Sequence, residues 1–154
     1  MSEIYEQLIL NFLTRNGLAF ACPQFHFPYA DKFGGTNPDF VVLDLKACDV
    51  AIVEVTTSWN ISRLLEKAEL RQERWYNPLQ AELSTYKGLR PEVIWHPRLI
   101  CFIRQDRISV AKKWQSSMVG GADDVTFFAI EEATFGWSYW NARGETLPRS
   151  APAG

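Results

Sequence analysis

The sequence predicts an α/β fold, a single domain in which helices flank a mixed central β-sheet. Three observations indicate this class. The chain has 154 residues, the usual size of one domain. Segments with helical and with strand periodicity are interspersed along it, as is typical of sheets covered by helices. Two neighbouring strands are close enough to form a hairpin, whereas later strands are separated by helices, so the sheet should contain antiparallel and parallel pairs.

The N-terminal part predicts one helix and one strand. Residues 2–16 repeat apolar side chains at helical spacing, and Asn16-Gly17 is a typical helix end. Residues 18–27 are rich in aromatic side chains and predict a strand that stops before a proline. Residues 29–37 contain two consecutive glycines and therefore predict a loop.

The centre of the chain predicts a hairpin and then a long helix. Residues 39–45 and 50–56 are apolar runs joined by a short turn, which predicts two antiparallel strands. Residues 60–76 predict a helix, which we expect Pro78 to break or restart and Gly88 to end. The remaining segments predict a strand at 99–103, a helix at 108–114, a strand at 125–130 and a hairpin at 135–146.

Composition limits the class of protein. With 47% hydrophobic and 22% charged residues, the chain is not a disordered one. We place the domain at residues 1–146 and interpret residues 147–154, which contain Pro, Ser, Ala and Gly, as a flexible tail. The net charge of −2 excludes a globally basic nucleic-acid coat, so any nucleic-acid binding must come from a local basic patch.

Cysteine usage and hydropathy indicate a protein of the cytoplasm. Three scattered cysteines and the absence of a CxxC pair argue against a disulfide framework and against a zinc finger. No secretory signal is visible at the start of the sequence, and the apolar runs are far shorter than the ~20 residues that span a bilayer. We therefore expect an intracellular, soluble protein with no membrane partner.

Aromatic residues make up 14% of the chain, which is a high fraction. This excess has two interpretations: a bulky core, or a surface that stacks on a partner. Because several aromatic side chains fall near the C-terminus, we also expect a homodimer.

Two acidic residues stand out on the predicted hairpin. Glu54 interrupts an otherwise apolar strand, and a buried carboxylate needs a compensating cation or takes up a proton. Asp39 begins the partner strand, so the hairpin should bring the two carboxylates together. Paired carboxylates suit a hard cation such as Mg²⁺ or Mn²⁺. The alternatives are a turn role for Asp39 after Pro38 and a structural ion pair between Glu54 and Arg63 or Lys67.

Pro38-Asp39, a hairpin and then Glu54-x-Thr56 resemble the core of the PD-(D/E)XK nucleases. The resemblance covers roughly residues 3–130 and implies a restriction-endonuclease-like fold. It implies that Asp39, Glu54 and the Val55 carbonyl bind metal. Glu6, on an apolar helix that ends in glycine, is similar to the catalytic glutamate of the Holliday-junction resolvases in this family and would bind metal directly or through water.

Thr56 departs from the family pattern, in which a lysine occupies this position. Some members, similar to the cap-snatching viral endonucleases, supply the lysine from the next helix. Here that helix carries Lys67, which becomes the predicted catalytic lysine. A helical wheel places it in a basic stripe beside the apolar face, and this stripe is predicted to bind nucleic-acid phosphates; its members are Arg63, Lys67, Arg71 and Arg74.

The sequence thus supports two functions of different classes. The first is a metal-dependent endonuclease that hydrolyses phosphodiester bonds of DNA or RNA. The second is a catalytically inactive protein with the nuclease fold that works as a nucleic-acid-binding, protein-binding or assembly module, as the Thr56 departure and the net negative charge would suit. The basic stripe also has a plainer interpretation, a solvated helix face held by pairs of opposite charges.

Overall fold

A computed structural model describes residues 3–14, 19–29, 33–44, 47–85 and 93–133. Two predicted features lie outside these ranges, the hairpin at 135–146 and the tail at 147–154, as do the predicted helix ends at Asn16-Gly17 and Gly88.

The central sheet has five strands, in chain order β1 (Ala19–Pro23), β4 (Phe40–Asp44), β5 (Asp49–Val55), β6 (His96–Ile103) and β7 (Val125–Ala129). They lie side by side in the same order. Pairing is antiparallel between β1, β4 and β5, and parallel between β5, β6 and β7. The predicted α/β class with a mixed sheet is therefore confirmed.

A second, two-stranded sheet follows β1 in the chain and corrects two predictions. Residues 18–27 do not form one strand, and the predicted loop at 29–37 contains a strand, because β2 (Phe27–Pro28) pairs with β3 (Gly35–Thr36). The pairing requires glycine at position 35. A Cβ there would lie 2.6 Å from His26 Cε1 and 2.7 Å from the Phe27 carbonyl oxygen.

The helices are α1 (Glu3–Thr14), α2 (Ser62–Glu69), a π-helical turn (Gln72–Tyr76), α3 (Asn77–Leu83), a 3₁₀ turn (Gln105–Arg107) and α4 (Ile108–Ser117). Pro78 marks a restart of the helical segment, one of its two predicted effects. It lies in the first turn of α3, where a missing N–H is tolerated. His96 begins β6 and donates its backbone N–H to the Cys48 carbonyl at 2.9 Å.

Apolar side chains cover both faces of the sheet because residues along β5 alternate in direction. Val50 and Ile52 join the cluster formed with α2, the π-helical turn and α3, whereas Val53 and Val55 join the cluster formed with α1. Glu54 follows the alternation of Val50 and Ile52, so it lies on the α2 face of the sheet.

Candidate functional site

Asp39 and Glu54 face each other across the β4–β5 hairpin. The pairing of Phe40 with Val53 makes Asp39 and Glu54 the next opposed positions, and opposed residues of an antiparallel pair point to the same face. The Asp39 carboxylate also accepts the Val55 backbone N–H, with 2.7 Å between Oδ2 and N. This bond fixes Asp39 at the C-terminal end of β5.

Burial makes ionisation of both carboxyl groups costly. Burial raises the pKa of Glu54 to about 7, and the charge of Asp39 adds to this rise, whereas the charge of Lys67 opposes it. Burial likewise raises the pKa of Asp39, against the lowering effects of the Val55 N–H and of Lys67. A cation between the two groups would therefore be stabilising.

Lys67 provides the nearby positive charge. Its Nζ lies 3.8 Å from Glu54 Oε2, and its side chain is 58% exposed while that of Glu54 is 15% exposed. The ammonium also lies 6.0 Å from the centre of the Trp75 ring. Because solvent weakens a long and exposed ion pair, Lys67 only partly offsets the burial of Glu54.

Thr56 directly follows the end of β5 and supplies no charge. Its backbone N–H bonds the Phe102 carbonyl at 2.9 Å, and its hydroxyl oxygen accepts the Ser58 N–H at 3.2 Å. The cation beside Glu54 thus comes from α2.

A cleft of about 300 Å³ runs along α2 next to Lys67. Two further cations of the predicted basic stripe, Arg63 and Arg74, line it, and the Arg74 guanidinium lies 5.5 Å from the centre of the Tyr29 ring. The cleft is not purely basic, because the acid Glu66 lines it as well.

Arg71, the fourth predicted cation of the stripe, is engaged elsewhere. Its guanidinium forms a two-pronged pair with Asp124, at 2.6 Å and 2.9 Å, and its side chain is only 14% exposed. Tyr76 donates its hydroxyl to the same carboxylate at 2.5 Å. The structure therefore does not bring Arg71 together with Lys67 at the cleft. No pattern around Asp124, 53 positions away, identified it as this partner.

Glu6 lies on α1, which packs against the face of the sheet opposite to Glu54. Within the described ranges, no three His, Cys, Asp or Glu side chains are grouped so that they could hold a metal ion. The structure thus groups two acids, Asp39 and Glu54, and the part of Val55 it places there is the backbone N–H that binds Asp39. A metal role for Glu6 and for the Val55 carbonyl stays a prediction.

Comparison with known proteins gives no relative for this chain: no family model, curated protein or solved structure matches it. None of the helices in the described ranges has the length and apolar character needed to cross a membrane.

Proposed function

We propose that the protein is a Mg²⁺- or Mn²⁺-dependent endonuclease that hydrolyses phosphodiester bonds in nucleic acid. One observation carries this proposal: two opposed, mostly buried carboxyl groups, Asp39 and Glu54, with the Lys67 ammonium 3.8 Å from one of them. A purely structural ion pair would need one acid and one base. The charge of Asp39 raises the pKa of Glu54, so ionisation of Glu54 costs free energy. A divalent cation bound between the two groups would remove this cost.

The donor set fits a hard cation, since carboxylate oxygens are the ligands that Mg²⁺ and Mn²⁺ prefer. Asp39 and Glu54 would hold the ion, with the Val55 carbonyl and Glu6 as the predicted further ligands. A bound ion would polarise the scissile phosphate and lower the pKa of the attacking water. Cleavage requires both carboxyl groups to be ionised.

Lys67 would stabilise the negative charge that develops on the phosphate, in place of the lysine that Thr56 replaces. The exposed, flexible side chain can move from Glu54 toward a substrate. Arg63 and Arg74 would hold neighbouring phosphates along the cleft, where arginine can form two parallel hydrogen bonds to one phosphate. Arg71 has no part in this proposal, since Asp124 occupies its guanidinium.

Incubation of the protein with single- and double-stranded DNA and RNA, with Mn²⁺, Mg²⁺ or EDTA, tests the proposal. We expect cleavage with metal and none with EDTA. Asp39→Asn and Glu54→Gln should abolish cleavage, whereas Asp123→Asn, at an exposed acid outside the cleft, should retain it.

Lys67→Ala should lower the cleavage rate by roughly 10²-fold, the scale of losing one preorganised charge. Lys112→Ala removes an exposed lysine of α4 and serves as the matched control. Cleavage at the wild-type rate in Lys67→Ala would contradict the assignment of this lysine.

The inactive binding module is the second candidate, and the Glu54–Lys67 pair favours it, because the strand acid already has a basic partner. This candidate predicts nucleic-acid or protein binding that persists in EDTA, without cleavage on any substrate. The absence of cleavage by the wild-type protein on the whole panel would select it.

We further propose an intracellular protein that forms a homodimer. Cys22, Cys48 and Cys101 form no disulfide with one another, which suits a reducing compartment. Two sites related by a two-fold axis would let a small nuclease act on both strands of a duplex. Light scattering should give twice the mass of one chain, and a monomer at micromolar concentration would contradict the dimer.

A further inference from the structure

Trp59 is an exposed aromatic side chain on the segment that directly follows the candidate site. It lies between Glu54 and α2, and it is 63% exposed. The segment is held by its own hydrogen bonds: the Ser58 hydroxyl donates to the Asn60 carbonyl at 3.0 Å, and the Asn60 side chain accepts the Ser62 N–H at 3.0 Å. The indole is therefore presented by an ordered turn.

Arg107 covers one side of this indole. Its guanidinium carbon lies 4.4 Å from the centre of the Trp59 ring, a close cation–π contact. Arg107 follows the end of β6 and Trp59 follows the end of β5, and these strands are parallel neighbours. The pair thus lies at the same edge of the sheet as Glu54, where α/β proteins commonly bind ligands. Trp59 is 63% exposed even with this contact, so its indole is accessible to a ligand.

The charges around the pair are balanced. Asp106 is shared between Arg104, at 2.8 Å, and Arg107, at 3.5 Å. Glu131 accepts the backbone N–H of Gln105, in the 3₁₀ turn that also carries Arg107, at 2.9 Å. Two arginines and two acids sum to zero, so this surface does not attract phosphate as the cleft does. Its main feature is an exposed indole in contact with a guanidinium.

We propose that the Trp59–Arg107 pair is a stacking platform for an unpaired nucleobase next to the cleaved phosphate. The inference rests on the proposed nuclease function and names its substrate class, a strand with unpaired bases. Bases inside a duplex are covered on both faces by their neighbours, so only an unpaired base can stack on the indole. Phosphate binding by the cleft and base stacking by the platform would then hold one strand across Asp39 and Glu54.

Fluorescence anisotropy in EDTA tests the platform without cleavage. The probes are a labelled single-stranded oligonucleotide as DNA and as RNA, the same DNA strand with abasic sites, and a blunt duplex. Trp59→Ala should weaken binding of the intact single strands by about 5- to 150-fold, the effect of losing one stacked base. Trp59→Phe should retain much of the wild-type affinity for these strands. Phe20→Ala is the matched control, because Phe20 is 64% exposed on the edge strand β1.

The abasic strand separates stacking from a general surface effect. Wild type and Trp59→Ala should bind the abasic strand equally, since no base remains to stack. The inference is overturned if Trp59→Ala binds the intact strands as tightly as the wild type does. It is also overturned if the variant binds the abasic strand more weakly than the wild type, or if its affinity for the duplex falls as much as its affinity for the intact strands.

Cleavage with Mn²⁺, measured in parallel, distinguishes this inference from the proposed function. Cleavage by the wild type with no effect of Trp59→Ala on binding would overturn the platform alone. Binding that depends on Trp59 without cleavage would overturn the catalytic proposal and keep the platform. No binding to any of the probes would overturn the platform, and the additional absence of cleavage would overturn both proposals.

Discussion

Glu54 is a carboxylic acid in a strand position whose neighbours are core side chains. Burial raises its pKa from an ordinary 4.5 to about 7, because the folded protein stabilises the charged form poorly. Lys67, at 3.8 Å, does not restore the ordinary value because its own side chain remains largely in solvent. Ionisation of Glu54 therefore lowers the free energy of unfolding.

The pH dependence of stability should reveal this effect. Between pH 4.5 and about 7 the folded protein retains the Glu54 proton that the unfolded chain releases, so the free energy of unfolding falls as pH rises and then levels off. The full difference is of order 3 kcal/mol. Glu54→Gln should abolish this part of the decline and be more stable than the wild type at about pH 8. Urea unfolding of both proteins across this range is the measurement.

Glu66→Gln is the control for that series, because this exposed acid of α2 should leave the pH profile unchanged. A profile of Glu54→Gln that overlays the wild type would show that Glu54 ionises normally in the folded protein.

Residue positions near the hairpin were predictable, and distant partners were not. A hairpin with a fixed register forces Asp39 opposite Glu54, and helical periodicity brought Lys67 to the side of the sheet where Glu54 lies. Arg71 shares that periodicity with Lys67, yet its position is decided by Asp124, which no local pattern connects to it.

The helical segment from α2 to α3 shows where element-level prediction stops. Its apolar stripe predicted the helix, and Leu64, Ala68 and Trp75 are buried as a helical stripe requires. The π-helical turn at Gln72–Tyr76 was not predictable, since it depends on packing. Trp75 packs against the small sheet and donates its Nε1–H to Thr36 Oγ1 at 3.1 Å. That sheet was itself missed, because strands of two residues carry almost no periodicity.

Arg71 and Arg74 should have different roles: Arg71 stabilises the fold, whereas Arg74 binds nucleic acid. Asp124 anchors Arg71 and Tyr76. Burial alone would raise the pKa of this acid, but their hydrogen bonds lower it below its usual value. Asp124→Asn should therefore lower the free energy of unfolding by about 2 kcal/mol at neutral pH, the scale of hydrogen bonds to a charged group. Arg74→Ala should leave stability nearly unchanged and weaken nucleic-acid binding.

Thermal unfolding and anisotropy on both variants provide the comparison. Asp123→Asn, at the exposed neighbouring acid, controls for the change in net charge. Weaker nucleic-acid binding in Arg71→Ala, at a temperature where it is fully folded, would return Arg71 to the predicted binding stripe.

At the scale of the whole molecule, the order of elements was the most predictable property. A hairpin followed by helical crossovers implies antiparallel and then parallel pairing, and the sheet follows that order through β4, β5, β6 and β7. The consequence for function is geometric. The C-terminal ends of β5 and β6 share one edge, which carries Glu54, the anchor of Asp39 and the turn with Trp59. Strands from three regions of the chain must pair before this edge exists.

Metal binding should therefore stabilise the whole fold. The unfolded chain cannot hold Asp39 against Glu54, so an ion bound there should raise the free energy of unfolding, by about 2.7 kcal/mol at 100 times its dissociation constant. Asp39→Ala and Glu54→Ala should remain folded and lose the shift, whereas Lys67→Ala should retain it. Thermal unfolding with and without Mn²⁺ at about pH 8, above the Glu54 pKa of about 7, measures this effect. If Asp39→Ala showed the wild-type shift, the ion would bind elsewhere, and the pair of carboxylates would be structural.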